Sequence, residues 1–361
     1  MSAEIAERIR GAIAERGPIS FAEFMDLALY GQGGFYDEPP VGRVGDFVTS
    51  PHIHWWFAYA VAKALGELQE ALGDPSPARV VEVGAGDGTL ARTLLDIVRD
   101  AGPVDYVAVE RSAGAIERLR ELQVRTATAL ADVAPIRDAT VFANELLDNL
   151  PFRRVRRRDG GLVEVRIDAL GHAFIEREVP ADEDLRADAG GAGGRDETIV
   201  PTGALAFIDE LARVCERSYV LLIDYAEADV ASSDRVHGYR DHRVVADVLS
   251  SPGTTDITAG VNLDAVSARA SASGLDVLGR VSQRDALVAL GFRGWAERQR
   301  ERQASLLADG RDVEATRCWE SRSRATLLLD PGGLGRLSWL LLATPGLPRP
   351  QWLELAAEEA V

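Results

Sequence analysis

The chain has 361 residues, of which 46% are hydrophobic and 27% charged, a composition typical of globular proteins with a large buried core. Its formal net charge of −17 disfavours nucleic acid as a general partner, because phosphate binding needs cationic side chains. No stretch predicts a membrane span, and the acidic amphipathic N-terminus resembles neither a signal nor a transit peptide. We therefore expect a cytoplasmic protein.

Cysteine and histidine form no recognisable ligand pattern. Cys215 and Cys318 lie too far apart in the sequence to indicate a disulfide framework or a metal site. His52 and His54 lack an acidic or cysteine companion at zinc spacing, so we predict structural or surface roles for both. No metal centre is predicted.

Residues 1–75 are predicted to be helical with an irregular middle. Ser20 and Glu23 form a capping box that starts a second helix. The segment 31–51 follows as a long loop rich in glycine and aromatic residues, and a third helix is predicted at about 53–72. Loops of this length in compact domains tend to be functional or disordered, and the aromatic residues argue against disorder.

A buried strand at 79–83 leads into a glycine-rich turn and then a helix, the arrangement of a nucleotide-binding crevice. Gly84, Gly86 and Gly88 alternate, which is tighter than the spacing of a dinucleotide fingerprint. Glu82 would repel a pyrophosphate but suits a cationic ligand such as S-adenosylmethionine. A nicotinamide dehydrogenase is therefore the least favoured interpretation. The alternative is a glycine turn that only packs helix against strand.

The next strand, predicted at 105–110, ends in Glu110. A carboxylate at that strand end can accept both ribose hydroxyls of an adenosine. NAD and S-adenosylmethionine share this need, so Glu110 supports adenosine binding without choosing between them. Asp132 is a weak candidate for the adenine edge. A surface carboxylate is the alternative for Glu110.

The remaining elements continue an α/β pattern. Strands are expected at 123–127, 140–144, 218–225 and 275–281, a hairpin at 152–158 and 162–168, a floppy loop at 181–197, helices at 203–216, 262–273 and through 283–323, and apolar closing segments at 325–330 and 336–343.

Several segments spread over the chain together resemble one family. They are residues 19–25, 29–30, 34–36, 45–51, 143–151, 238–242 and 252–259. The joint pattern is similar to the MidA family of S-adenosylmethionine-dependent methyltransferases, whose mitochondrial members assist respiratory complex I assembly and methylate a protein arginine. The resemblance implies an α/β class I methyltransferase fold with a Rossmann-like, doubly wound sheet. It implies a helical extension at 1–75 with a cofactor-facing loop, and a core at 76–361 with insertions near 152–200 and 225–335.

The same resemblance gives the long loop a role at the cofactor. It implies that Gly45 and Asp46 approach the cofactor, with Asp46 at the cationic amino acid end. It places Thr49 and Ser50 nearby as hydroxyl donors. A turn-forming side chain is the alternative for Asp46.

Asn144 and Glu145 end the fourth predicted strand, beside the expected crevice. A carboxylate can grip a guanidinium bidentately, and Glu145 is the candidate for that grip on a substrate arginine. Residues 145–147 resemble the start of the acidic loop of protein arginine methyltransferases. Asp148 is the nearest second acid, at a different spacing. The simpler interpretation is a helix N-terminus capped by Asn144.

The leading hypothesis is an S-adenosylmethionine-dependent methyltransferase that N-methylates an arginine of a protein partner. The family pattern has an acid where this chain has Asn262, a departure that leaves two alternatives open. One is an assembly factor that binds the cofactor but works by protein docking, and the other is a small-molecule methyltransferase. The oligomeric state is not predicted.

Overall fold

The computed structural model describes residues 2–37, 49–99, 102–159, 161–190, 196–226, 236–240, 243–245 and 247–359. The strands in chain order are β1 (Ile19–Ser20), β2 (Ala78–Val83), β3 (Val104–Val109), β4 (Arg125–Ala127), β5 (Ile136–Arg137), β6 (Ala139–Asn144), β7 (Arg153–Arg158), β8 (Gly161–Leu170), β9 (Ala173–Pro180), β10 (Glu197–Val200), β11 (Cys215–Glu216), β12 (Tyr219–Asp224), β13 (His237–Arg240), β14 (Arg243–Val245), β15 (Asp256–Thr258), β16 (Asp276–Ser282) and β17 (Ser338–Ala343).

The α-helices lie between these strands and at both ends of the described chain. They are α1 (Ser2–Arg16), α2 (Phe21–Tyr30), α3 (Ser50–Ile53), α4 (Trp56–Ala71), α5 (Thr89–Val98), α6 (Ala113–Glu121), α7 (Glu183–Asp188), α8 (Thr202–Val214), α9 (Leu263–Ala272), α10 (Gln283–Ala289), α11 (Phe292–Ala308), α12 (Asp312–Thr326) and α13 (Gln351–Glu359). Ser20 caps α2 by accepting a hydrogen bond from the Glu23 amide, as the sequence predicts.

A seven-stranded sheet in the order β16-β17-β12-β6-β2-β3-β4 forms the centre of the molecule. Strands β4, β3, β2, β6 and β12 run parallel, and β17 runs antiparallel between β12 and β16. The chain order reverses at β2, which pairs with β3 on one side and β6 on the other. That reversal opens a crevice at the carboxyl ends of the strands.

Alternate residues of the central strands enter two separate apolar cores. On β12, Leu221 packs with the core that includes α4, α5, α10 and α13, whereas Leu222 packs with α8 and α9 on the opposite face. Because both faces are covered, the strands are apolar at nearly every position, as the sequence predicts for parallel strands.

The N-terminal helices pack against an antiparallel sheet beside the central one. This sheet has the order β1-β8-β7-β10, with β9 on the other side of β8. Ile5 and Ile9 of α1 and Phe24 of α2 are buried in a third apolar core shared with this sheet and with β15. Helix α4 instead packs on the central sheet. The predicted domain boundary near residue 75 stays a prediction.

The structure corrects several expected elements. Part of the predicted floppy loop 181–197 is helix α7, because Asp182 caps it by accepting from the Leu185 amide and Leu185 is buried in a small apolar core. The helix predicted at about 53–72 is α4, and extended His54 lies between it and the short helix α3. Strands β9, β10 and β13 to β15 and helix α13 were not predicted; among them, β10 pairs with β7, which lies far from it in sequence, whereas β9 pairs with the adjacent β8.

Candidate active site

A cavity of about 340 Å³ lies at the carboxyl ends of β2, β3 and β6, where the strand order reverses. Its walls include the loops after these strands, the turn before α4, the end of α2 and part of α8. This volume lies in the range of small-molecule and cofactor sites. The predicted site residues that line it are Thr49, Glu82, Gly84, Gly86, Glu110, Asn144 and Glu145.

The three alternating glycines all have positive φ, but their roles differ. A Cβ on Gly86 (φ +55°) would meet no atom within 4 Å, so this residue leaves open space at the cavity wall. A Cβ on Gly84 would lie 2.8 Å from Leu146. Gly88 does not line the cavity. A Cβ there would lie 2.7 Å from Leu122, so its function is close packing of helix against helix, contrary to the cofactor contact predicted for it.

Glu110 fastens the glycine loop to the end of β3. Its Oε2 accepts a hydrogen bond from the Gly86 amide (3.0 Å), and its Oε1 accepts from the amides of Arg111 (2.7 Å) and Ser112 (2.9 Å). A carboxylate offers about four acceptor sites and these bonds occupy three of them, so Oε2 keeps capacity for one further donor such as a ligand hydroxyl. The carboxylate is thus fixed in direction at the cavity wall.

Glu82 is 2% exposed and accepts a hydrogen bond from the Tyr106 hydroxyl. Burial raises the pKa of Glu82 to about 8, although the Tyr106 hydrogen bond opposes the rise. Glu82 therefore holds a proton at neutral pH in the ligand-free protein. A cation beside it would lower that pKa, which couples cationic ligand binding to proton release.

Replacing Glu82 by glutamine is expected to flatten the pH dependence of stability. Between the ordinary pKa of 4.5 and the raised value of about 8, the folded protein keeps a proton that the unfolded chain has lost. Stability therefore falls as pH rises through this window, by up to about 1.4 kcal/mol per pH unit. Urea unfolding without cofactor should show the wild type losing about 2 kcal/mol relative to Glu82→Gln between pH 5.5 and 7.5. Equal pH dependence of the two proteins would contradict the assignment.

Glu145 follows β6 with a φ of +52°, a left-handed conformation that is strained for a glutamate. Its amide donates to the Ile223 carbonyl (2.7 Å), and its Oε1 accepts from the Ser50 amide and from Asn144 Nδ2, both at 3.2 Å. Burial raises the pKa of Glu145 to about 7, against the Ser50 hydrogen bond and helped by nearby Asp148. A strained, partly buried carboxyl at a cavity wall is typical of functional sites.

Two further acids support the loop that carries Glu145. Asp224 is 1% exposed, and its Oδ2 accepts from the amides of Leu146 (3.0 Å) and Leu147 (2.6 Å). Burial, followed by the charge of Asp148, raises the pKa of Asp224 well above its usual range. Burial also raises the pKa of Asp148, to about 6. Whenever they ionise, the three acids concentrate negative charge at this loop.

The structure does not bring every predicted residue to the cavity wall. Ser50 is fully buried, and its hydroxyl contacts Gln283 at 3.4 Å, so it supports the wall from behind. Asp148 lies outside the lining, where its Oδ2 accepts from the Thr258 hydroxyl (3.1 Å). Both side chains lie away from the cavity wall because they contact polar groups of neighbouring elements instead. Gly45 and Asp46 lie outside the described residues.

Sequence reasoning missed several residues at the cavity. His52 lines it and bonds Asp87 Oδ2 through Nε2 at 3.0 Å, a place at the cavity that the sequence did not indicate. Tyr30 and Tyr36 form a stacked pair with ring centroids 5.4 Å apart, also at the wall. The contacts that bring these residues to the cavity join segments far apart in sequence. The only local sequence signal was the glycine motif beside Asp87.

Two other residues have local roles. Asp132 does not line the cavity; its Oδ2 accepts from Thr128 and Ala129 and shapes the turn after β4. Asn262, where the family pattern has an acid, caps α9 by accepting from the Ala265 amide at 3.0 Å.

The cavity fits S-adenosylmethionine. Gly86 provides open backbone, Glu110 a fixed acceptor at the strand end, and Asn144 a buried Oδ1 without a hydrogen-bond partner among the described residues. When bound, the cofactor supplies a methyl group activated by a positively charged sulfur. Glu110 would hold the ribose, and Asn144 would accept from the amino acid end.

Comparisons with known proteins agree with this geometry. A family model described as S-adenosyl-L-methionine-dependent methyltransferase matches residues 60–281. The Drosophila melanogaster protein named "Protein arginine methyltransferase NDUFAF7 homolog, mitochondrial" is 28% identical over 305 residues, covering 73% of this chain and 69% of that protein. The Rattus norvegicus protein named "Protein arginine methyltransferase NDUFAF7, mitochondrial" is 27% identical over 325 residues, covering 78% and 72%.

A crystal structure from Burkholderia thailandensis, solved with bound S-adenosyl-homocysteine, superimposes with a TM-score of 0.82 at 26% identity. The match covers 98% of this chain and 94% of that one. The predicted class I methyltransferase fold, cofactor and resemblance to MidA are thereby confirmed. The two relatives above are named as mitochondrial proteins and so do not support the expected cytoplasmic location, which stays a prediction. No helix in the described ranges is long and apolar enough to cross a membrane.

The family match covers more than half of the chain, and the cavity that the sheet builds is suited to the family's cofactor. This chain belongs to the family of S-adenosyl-L-methionine-dependent methyltransferases.

Proposed function

We propose that this enzyme transfers the methyl group of S-adenosylmethionine to a side-chain nitrogen of an arginine in a partner protein. The observation that carries the proposal is Glu145, which is held in a strained conformation at the cavity wall with Asp148 and Asp224 close behind it. The names of the curated relatives support the same acceptor.

The acidic loop suits a guanidinium better than a neutral acceptor. Besides burial, Asp148 and Glu145 raise the pKa of Asp224, so the ionised acids repel one another. A cationic guanidinium would relieve this repulsion and make charge-assisted hydrogen bonds with Glu145. Arginine presents such a cation with a planar set of donors that a carboxylate can orient.

Glu145 is also suited to manage the proton that leaves the acceptor nitrogen. As a carboxylate it orients the guanidinium and favours the charge distribution in which one nitrogen lone pair is available for attack. With a pKa of about 7, it can take the departing proton near neutral pH. Its backbone hydrogen bond to Ile223 and its contact with Ser50 keep it in place.

The proposal is tested by identifying the methylated amino acid. The purified enzyme is incubated with methyl-tritiated S-adenosylmethionine and a protein extract from cells that lack its gene. The labelled proteins are hydrolysed to amino acids. We expect the label in methylarginine. Label confined to low-mass compounds would instead support the small-molecule alternative, and binding of the cofactor without any transfer would support the docking alternative. Either result would overturn the proposal.

A further inference from the structure

We propose that His52 is a positioning residue that retains the bound cofactor. Its contact with Asp87 holds the turn at residues 49–53 against the glycine loop. The inference concerns cofactor retention and does not depend on which acceptor is methylated.

The turn is one wall of the cofactor cavity. Thr49, Pro51 and His52 line the cavity together with the loops that follow the central strands, the end of α2 and part of α8. Helix α3, which forms this turn, spans only Ser50–Ile53. A helix of this length has little stability of its own. Its position therefore depends on tertiary contacts.

The contact between His52 and Asp87 joins the turn to the glycine loop. His52 Nε2 lies 3.0 Å from Asp87 Oδ2, and the two side chains are 10% and 19% exposed. Asp87 also accepts from the amide and hydroxyl of Thr89. Burial raises the pKa of Asp87, but the His52 and Thr89 hydrogen bonds outweigh it and leave the pKa lowered. Asp87 is therefore an ionised acceptor at neutral pH.

This acceptor places a hydrogen on one nitrogen of the imidazole. An ionised Asp87 can only accept, so His52 Nε2 must carry a hydrogen. In the neutral ring, Nδ1 is then an acceptor for the Thr49 hydroxyl, which lies 2.9 Å away. The ring is thus tied at both nitrogens, to the glycine loop on one side and to the turn on the other.

Separate contacts tie the same turn elsewhere. The Ser50 amide donates to Glu145 Oε1 at 3.2 Å, and the Ser50 hydroxyl lies 3.4 Å from Gln283 Oε1. These contacts anchor the turn to the loop after β6 and to α10. Removing the His52 ring should leave them in place and release the turn from the glycine loop alone.

The consequence is measurable as the dissociation rate of S-adenosylhomocysteine. A partly buried hydrogen bond to an ionised group keeps the wall closed, and its loss favours the open state. We expect His52→Ala to raise the dissociation rate about tenfold. Association should change little, because affinity differences among variants of one site are mostly in dissociation.

A double-mutant cycle tests whether the effect runs through Asp87. Stopped-flow displacement of S-adenosylhomocysteine is measured for wild type, His52→Ala, Asp87→Ala and the double variant. We expect His52→Ala to have less than about a twofold effect in the Asp87→Ala background, because the contact is already gone. An undiminished effect in that background, or an unchanged rate in the single variant, overturns the proposal.

Two further variants separate this role from a general loosening. His54→Ala changes the same residue type at the end of the turn, where the ring contacts Ser321 at 2.9 Å and does not line the cavity. His52→Gln keeps a side-chain donor for Asp87. We expect both to keep the dissociation rate within about threefold of wild type. An equal acceleration of dissociation by His54→Ala overturns the assignment to His52. Thermal melts of all variants serve as the control for folding.

Discussion

Replacing Gly86 by valine is expected to abolish S-adenosylmethionine binding while the protein still folds. The Cβ of residue 86 would meet no protein atom within 4 Å, so the backbone there has room for a Cβ. That room lies at the wall of the cofactor cavity, so the side chain would occupy ligand space. Calorimetric titration should show the affinity for the cofactor reduced by at least about a thousandfold. In a close-packed site, a steric overlap between a side chain and a ligand cannot be relieved without a large cost in free energy.

Gly274 provides the matched control. Its φ is +89°, and a Cβ there would also meet no atom within 4 Å, but it lies far from the cavity, between α9 and β16. Valine at either position carries the strain of a left-handed backbone, a cost of about 1–2 kcal/mol. Both variants should therefore lose similar stability, whereas only Gly86→Val should lose cofactor binding. Normal binding by Gly86→Val would mean that the cofactor does not pass along the glycine loop.

The features that the sequence predicts are local ones. The strand from Ala78 to Val83, the glycine turn and the acid at the end of β3 lie within about thirty residues, and each has its own residue signature. The glycine spacing and the position of Glu82 are also local features, so the sequence alone indicates the ligand class. The charged helical stretch predicted through 283–323 is likewise a local feature, which the structure divides into α10, α11 and α12.

The features that the sequence hides are contacts between distant segments. From the sequence, Asp224 is the end of a buried strand. In the structure it also accepts a hydrogen bond from Leu147, which lies 77 residues earlier, and so holds the loop after β6 in place. His52 and Asp87 are 35 residues apart, and neither has a pattern that names the other. Helix α7 needed the burial of Leu185, which an acidic, glycine-rich composition does not reveal. Tertiary packing determines each of these outcomes.

The position of Glu145 was predictable, but its conformation was not. The end of an apolar strand at a switch point is where polar residues meet ligands, so the sequence directs attention to it. The positive φ depends on the Ile223 carbonyl and on Asp224, both on β12. The pKa likewise depends on burial beneath the turn at Ser50. Neither property can be inferred from residues 144–148 alone.

Replacing Glu145 by glutamine is expected to reduce methylarginine formation about a thousandfold at saturating cofactor. The amide keeps the oxygen that accepts from the Ser50 amide, so the loop should hold its shape and the affinity for S-adenosylhomocysteine should stay within about threefold. It cannot carry the negative charge that orients a guanidinium or accept the proton that leaves it. In the wild type, activity should rise with pH through about 7 as Glu145 ionises, and this limb should vanish in the variant.

Glu121→Gln, the same chemical change at the exposed end of α6, should leave the rate and the pH profile unchanged. Full activity of Glu145→Gln, measured as tritiated methylarginine, would show that another group orients the acceptor.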